Sequence, residues 1–167
     1  MLFTNQFKMK KIFYTISLFL TFVLSNAQKT SGTIRDTDDN SNNVKALYRD
    51  YTTNTFTLWN SLLADNAVIY VNNNKLPKEI VIQAFKGHHG IFNDIQIIDT
   101  YAHTNYFKRD EVWSNSWFTW MGTGNKTGIR YANRSHFDFK WDNGKIVELL
   151  CYFDTASLNN ELHSSDN

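Results

Sequence analysis

Three of the five histidines are the side chains best suited to acid–base chemistry near neutral pH. His88 and His89 stand together in "KGHHGIF", and His136 lies in "NRSHFDF". His89 or His136 could act as a general base, and Asp154, directly after "CYF", could act as an acid. Structural alternatives stay open for each: a histidine stabilised by a helix dipole, a solvated strand position, or a helix cap.

The adjacent pair cannot act together on one atom. Side chains of neighbouring residues on a helix point about 100° apart, so His88 and His89 face different directions. We expect His88 at the mouth of a pocket and keep His89 as a candidate base.

No metal or cofactor is expected. The histidines at positions 88, 89, 103 and 136 show no diagnostic spacing, whereas a metal site needs three or four converging ligands. The only cysteine, Cys151, lies in the apolar run "IVELLCYF", which is typical of a buried thiol.

An aromatic stretch is the second feature that could do chemistry. The segment "WSNSWFTWMGTG" holds three of the chain's five tryptophans, Trp113, Trp117 and Trp120. Small-molecule pockets are commonly lined by aromatic rings with a few polar groups. The side of the strand on which these rings lie therefore decides what the protein could bind.

Hydrophobic spacing predicts the elements that position these residues. Apolar residues from Val44 to about Trp59 recur every three or four positions, which predicts a helix, and a second helix starts after Pro77. "NAVIYV" predicts a short strand. Four long strands follow: Ile95 to Phe107, Val112 to Met121, Ile129 to Trp141 and Lys145 to Phe153. Helices followed by an antiparallel meander indicate an α+β fold.

The last hairpin predicts which residues face inward. A three-residue loop with Gly144 in the left-handed bulge position pairs Phe137 with Leu149 and gathers the apolar residues on one face. A two-residue turn would pair Phe137 with Leu150 and leave both faces mixed, because a slip of one residue moves a whole apolar set.

The same register, carried back one strand, pairs Trp117 with Asn133 and predicts an inward-facing pocket. Its expected lining is Trp113, Asn115, Trp117, Tyr131 and Asn133, with His88 at the mouth. Phe118 and Trp120 would then point outward beside His136, and an aromatic pair on an outer face suggests a homodimer through the sheet. A slip of one residue would instead bring His136 into the pocket.

Residues 1–27 are typical of a secretory signal peptide. Lysines 8, 10 and 11 precede an uncharged apolar run over 12–24, and Ala27 completes a small-residue cleavage site before Gln28. The run is shorter than the roughly 20 residues that span a bilayer, so a retained anchor is the weaker interpretation. Met9 is an alternative start, since "MKK" and the run form a complete signal.

The remaining chain has the composition of one exported domain. Removal of the signal removes three lysines and no acidic residue, so the formal charge falls from +1 to −2 and no nucleic-acid partner is expected. Residues 28–43 are polar and aperiodic, which predicts a flexible lead-in. We expect a single domain over 44–162, secreted or periplasmic, with no membrane contact once the signal is removed.

These segments resemble a known family. "LLADNAVIYV" after the first helix, "FNDIQI" after the second, "GTGNKTG" after the Trp-rich strand and the hairpin "FKWDNGKIVELLCYFDTASL" are similar to a SnoaL-like domain of the nuclear transport factor 2-like superfamily. The resemblance covers 44–162. It implies a cone-shaped roll in which N-terminal helices pack on a strongly curved, mostly antiparallel sheet around a deep pocket, often as a sheet-to-sheet dimer.

The resemblance implies no single activity, because the relatives include ketosteroid isomerases, polyketide cyclases, epoxide hydrolases, dehydratases and proteins that only bind. A ketosteroid-isomerase mechanism needs a carboxylate base at the end of the first strand, and that strand ends Tyr70-Val71-Asn72-Asn73. The oxyanion-donor position falls near Ser135 or Phe137, and neither is an acid. We do not expect that mechanism.

The leading hypothesis is a secreted domain that binds a small, largely apolar or planar ligand. Two alternatives stay open. One is a cofactor-free lyase, isomerase or hydrolase with a histidine base, and the other is a structural dimerisation domain without catalysis.

Overall fold

The computed structural model describes residues 31–164, so the expected export signal lies outside the described residues. Within that range the strands are β1 (Gly32–Arg35), β2 (Leu63–Val71), β3 (Asn74–Leu76), β4 (Phe92–Phe107), β5 (Val112–Gly124), β6 (Arg130–Asp142) and β7 (Lys145–Phe153). The helices are α1 (Asp39–Thr52), α2 (Thr57–Leu62), α3 (Lys78–Ile91) and α4 (Ala156–His163).

The seven strands form one curved, unclosed sheet in the order β1-β4-β5-β6-β7-β2-β3. All neighbouring strands are antiparallel except β2 and β7, which are parallel. The prediction of an α+β fold with helices on a mostly antiparallel sheet is confirmed. None of the helices in this part of the chain is long and apolar enough to cross a membrane.

The ordered structure starts earlier than the sequence predicted. Asp38 caps α1 by accepting a hydrogen bond of 2.9 Å from the Ser41 backbone N–H. Strand β1 pairs with the far end of β4. The prediction of a flexible lead-in is therefore wrong from Gly32 onward. The segment has no apolar periodicity, but strand pairing and a polar helix cap give it a regular structure.

The first predicted helix is divided into α1 and α2. Asn54 and Phe56 have positive φ angles of 57° and 58°, which a continuous helix cannot contain. The Asp50 carboxylate accepts hydrogen bonds from the backbone N–H groups of Leu58 and Trp59, at 2.8 and 3.1 Å. These bonds satisfy backbone N–H groups in the first turn of α2. They allow the chain to turn at Phe56, which is fully buried.

A hydrophobic core fills the space between α1–α3 and the inner face of the sheet. Its largest fully buried side chains include Trp59, Phe56, Phe139, Leu47 and Leu149. Burial of rings of this size is the main source of stability for a domain with this architecture. The core therefore fixes the helices over the sheet and sets the position of the site.

The last hairpin confirms the predicted face but not the predicted pairing. Asn143 and Gly144 have φ angles of 47° and 74°, which is the two-residue turn that the sequence argument rejected. A β-bulge directly after the first two residue pairs of the hairpin shifts the pairing by one further residue and returns the apolar side chains to one face. Phe137 therefore pairs with Cys151 rather than with Leu149. Phe137 and Cys151 are both buried, as the apolar face required.

The face predicted for β5 is wrong. Trp117 pairs with His136 and Trp120 with Asn133, three residues from the expected register. An odd shift reverses a strand's faces. Trp113 and Trp117 therefore lie on the outer face of the sheet, and Phe118 and Trp120 lie on the inner face.

Two buried serines explain this reversal. Ser114 Oγ accepts a hydrogen bond of 2.8 Å from Trp141 Nε1, and Ser116 Oγ bonds to the Tyr48 hydroxyl. Both serines are fully buried. Small polar side chains face inward here because they satisfy buried polar atoms of large aromatic neighbours, which a count of hydrophobic residues does not reveal.

Candidate functional site

A cavity of about 60 Å³ lies between the helices and the inner face of the sheet. Aromatic and aliphatic side chains form most of its wall: Tyr48, Tyr51, Trp59, Phe85, Phe92, Ile97, Phe118, Trp120, Phe137, Phe153 and Leu158. The remaining lining residues are polar: His88, Asn133, Ser135, Asp154 and Ser157. We call this space the aromatic cavity.

Helix α3 brings His88 to the aromatic cavity, one turn after Phe85. His88 Nδ1 lies 3.0 Å from the Tyr51 hydroxyl, and Trp120 Nε1 donates to the same hydroxyl at 2.8 Å. Since an indole nitrogen only donates, the hydroxyl proton of Tyr51 is available for His88 Nδ1. In the tautomer that accepts this proton at Nδ1, His88 carries its own proton on Nε2 and is a neutral N–H donor toward the cavity; in the other tautomer Nδ1–H donates to the hydroxyl and Nε2 is the acceptor.

Burial determines the charge state of this group. Desolvation, with a smaller contribution from neighbouring His89, lowers the pKa of His88 to about 4. Burial also raises the pKa of the Tyr51 phenol, so it stays protonated. At neutral pH the Trp120–Tyr51–His88 chain is therefore uncharged and can offer a ligand a hydrogen bond without the cost of burying an ion.

Polar groups at the start of α4 form another part of the wall. Asn133 Nδ2 donates to Ser157 Oγ at 2.8 Å and to the Asp154 carbonyl at 3.2 Å. The Asp154 carboxylate accepts a hydrogen bond of 2.8 Å from the Ala156 N–H. Asp154 thus stabilises the turn into α4, the structural role that the sequence left open for it.

Glu161 fixes α4 against the loop that follows β5. Its side chain is 1% exposed and accepts hydrogen bonds from the Lys126 N–H at 3.0 Å, the Tyr131 hydroxyl at 3.0 Å and the Thr127 hydroxyl. Desolvation raises the pKa of the Glu161 carboxyl, but these hydrogen bonds outweigh it and hold the pKa below its usual value. The ionised Glu161 therefore holds α4, which forms part of the wall of the aromatic cavity, against this loop.

Gly122 makes room for Trp120. A Cβ atom at position 122 would lie 2.6 Å from Trp120 Cη2, closer than any non-bonded contact allows. The indole can therefore lie across β5 and reach Tyr51 only because this residue has no side chain.

The structure brings three of the residues predicted from the sequence to the cavity, namely His88, Asn133 and Asp154. His89 Nε2 donates to the Tyr51 carbonyl at 2.9 Å, and desolvation lowers the pKa of His89. Tyr131 faces inward but bonds to Glu161 instead of lining the cavity.

The other predicted residues lie on the outer face, away from the aromatic cavity. Trp117 stacks on His103 and contacts His136, with ring centroids 5.7 and 4.6 Å apart. His136 Nε2 lies 2.7 Å from the Asp138 carboxylate, to which Asn115 also donates. The predicted register of β5 was wrong, and it had placed Trp113, Asn115 and Trp117 in the pocket. The alternative register had placed His136 there, and the structure corrects this assignment as well.

Several cavity residues were not identified from the sequence. Tyr48 and Tyr51 project from α1, three residues apart and therefore on one helix face. Trp120 was placed outside. The i, i+3 spacing of the tyrosines was the available signal, whereas the role of Trp120 depends on a strand register that local sequence does not determine.

Ligating side chains do not cluster around the cavity. Within residues 31–164, no three His, Cys, Asp or Glu side chains come close enough together to hold a metal ion. The chemistry available from these residues is hydrogen bonding and proton transfer at His88.

No protein-family model matches the chain, and no curated protein matches it. Solved structures do match. AclR, a putative hydroxylase from Streptomyces galilaeus, is 16% identical with a TM-score of 0.57, over 72% of this chain and 92% of that one. A putative isomerase from Bacillus subtilis is 13% identical with a TM-score of 0.59, over 75% and 93%. IdmH, a putative polyketide cyclase from Streptomyces antibioticus, is 16% identical with a TM-score of 0.57, over 76% and 100%.

Identities this low establish the fold alone. The neighbours share the α+β arrangement of helices on a curved, mostly antiparallel sheet. The chain therefore shares its fold with these structures, and this is the cone-shaped α+β fold that the resemblance to SnoaL-like domains implied.

Proposed function

We propose that the protein is an exported small-molecule-binding domain whose aromatic cavity holds a small, largely apolar or planar ligand. The observation that carries this proposal is the composition of the cavity wall, where rings from α1, α3 and the inner sheet surround the uncharged His88 group. Binding sites for small molecules combine apolar walls with a few placed polar groups in this way.

The cavity volume adds a condition to this proposal. A cavity of about 60 Å³ is well below the roughly 300–1,000 Å³ that is usual for small-molecule sites. Ligand binding therefore requires a wall residue to move. Ser157 and Leu158 line the cavity from α4, so a change in the rotamer of either side chain would alter its volume.

Tryptophan fluorescence tests the proposal because the chain offers a matched pair of rings. Trp120 lines the cavity, whereas Trp117 lies on the outer face. Titration with 1-naphthol, detected by quenching, should give a saturable signal that is retained in Trp117→Phe and reduced in Trp120→Phe, where Trp59 is the remaining tryptophan in the cavity wall. Absence of saturable quenching across a panel of planar aromatic compounds would reject the proposal, as would a signal that depends only on Trp117.

A second candidate function is cofactor-free catalysis, and His88 is the observation that favours it. The structural neighbours bear the names of a putative hydroxylase, isomerase and polyketide cyclase. His88 is the histidine that lines the aromatic cavity, whereas His136 lies on the outer face of the sheet. Any activity found by substrate screening should fall at least about a hundredfold in His88→Gln and persist in His136→Gln.

A homodimer is also part of the proposal. Tyr101, Trp117, His136 and Tyr152 form one cross-strand row on the outer face, and its two tyrosines and Trp117 are 44–55% exposed. Arg134 and Asp138 lie on either side of His136 on the same face. A two-fold axis along the row would place Arg134 of one copy opposite Asp138 of the other, which supports a second copy as the occupant.

A further inference from the structure

A second cavity, of about 310 Å³, lies between α1 and β4. It is lined by Lys45, Tyr48, Arg49, Thr52, Ile97 and Thr100. Lys45 and Arg49 are four residues apart on α1, so they share one face of that helix. We call this space the basic cleft.

The basic cleft and the aromatic cavity share a wall. Tyr48 and Ile97 line both spaces. The Tyr48 hydroxyl is held by Ser116, whereas Ile97 is only partly buried and its side chain has no polar group to hold it. Ile97 is therefore the shared wall residue whose change of rotamer would open a passage between the two spaces.

The charge of the cleft is positive. Its lining contains two cations and no acidic residue. Lys45 Nζ donates to the Asp36 carbonyl at 2.9 Å, a neutral acceptor that leaves its other N–H groups available. Asp50, the acid next to Arg49, points toward α2, where it accepts the N–H groups of Leu58 and Trp59.

We propose that the natural ligand is an amphipathic carboxylate, with its apolar or planar body in the aromatic cavity and its carboxylate between Lys45 and Arg49. This inference rests on the proposed function and specifies its ligand class. Guanidinium and ammonium groups bind carboxylates by charge-assisted hydrogen bonds, and Thr100 offers a further hydroxyl donor. The basic cleft of about 310 Å³ and the aromatic cavity of about 60 Å³ together lie within the size range of small-molecule sites, roughly 300–1,000 Å³.

A matched pair of probes tests this inference on the full-length chain. 4-(1-Naphthyl)butanoate and its primary amide have the same aromatic body and differ in charge. By calorimetric titration at low salt, the acid should bind about tenfold more tightly than the amide, as expected for one charged hydrogen-bonded pair. This preference should fall below about threefold in Lys45→Gln/Arg49→Gln, because the acid loses more affinity than the neutral amide.

The control variant carries the same charge change elsewhere. Lys108→Gln/Arg109→Gln alters two exposed cations in the turn between β4 and β5, and the preference for the acid should persist there. Equal binding of acid and amide by the wild type would overturn the carboxylate assignment while leaving the aromatic cavity as a binding site. Binding of neither probe would overturn the proposed function itself. A preference lost equally in both double variants would show a general charge effect and also overturn the assignment.

Discussion

At the scale of single residues, His88 lines the aromatic cavity, and its burial makes the stability of the fold depend on pH. Its Nδ1 is held by Tyr51 and its ring is largely buried, so the folded protein strongly prefers the neutral imidazole. An unfolded chain has no such preference and takes up a proton near the ordinary histidine pKa of about 6.5. The difference links protonation of this one ring to folding.

We therefore predict that stability falls as the pH decreases from about 6.5 to about 4. In this window the unfolded state binds more protons than the folded state, so the free energy of unfolding decreases by roughly 3 kcal/mol in total. Urea unfolding measured at several pH values should show this slope in the wild type and a much smaller slope in His88→Gln. The exposed His163→Gln serves as the control, and equal slopes in His88→Gln and wild type would contradict the prediction.

At the scale of elements, strand faces could be predicted only where the pattern was decisive. Strands β6 and β7 alternate clearly, so Phe137, Phe139 and Leu149 were placed correctly on the inner face. In the first half of β5, tryptophans lie on one face and serines on the other, and hydrophobicity alone predicts that the face with the tryptophans is buried. The structure buries Ser114 and Ser116 instead, because Trp141 and Tyr48 need polar partners there.

Helix positions were predicted well and helix ends less so. Helix α3 follows Pro77 as expected. The break after α1 depends on positive φ angles and on Asp50 hydrogen bonds to residues eight and nine positions later. His88 could therefore be predicted as a pocket residue. Its hydrogen-bonded chain through Tyr51 to Trp120 could not, because that chain depends on the register of the strands and on how the helices pack on them.

The attachment of α4 provides a prediction at this scale. Glu161→Gln keeps the size of the side chain but replaces one carboxylate acceptor with a donor, so the contacts to Lys126 and Thr127 should weaken. Amide hydrogen exchange of Lys126, Thr127 and α4 should become roughly tenfold faster. Glu148→Gln, on the outer face, should leave it unchanged, and unaltered exchange in Glu161→Gln would show that α4 is held by other contacts.

At the scale of the whole molecule, the two faces of the sheet have different surroundings. Its inner face encloses the aromatic cavity, and its outer face carries the exposed aromatic row. An exposed row of this kind is unusual on a monomer and is typical of an interaction surface. The sequence predicted a paired outer face, although it assigned Phe118 and Trp120 to it rather than Trp117 and Tyr101.

We predict that the wild-type protein sediments as a dimer and that Trp117→Lys sediments as a monomer. A lysine in the centre of the row removes apolar contact area and places an unpaired charge at the interface. Ile129→Lys changes an equally exposed residue outside the row and should remain dimeric. A wild-type protein that stays monomeric at all accessible concentrations would remove the dimer from this account.

The aromatic cavity is tested most directly by filling it. Ser135 lines the cavity and is 7% exposed, so Ser135→Leu places additional carbon atoms in the space proposed for the ligand. Calorimetric titration with 1-naphthol should show binding to the wild type, unchanged binding to the surface variant Ser61→Leu, and binding at least about tenfold weaker to Ser135→Leu, provided that circular dichroism shows both variants to be folded. Equal affinity in all three proteins, or no binding to the wild type, would contradict the claim that this cavity is the binding site.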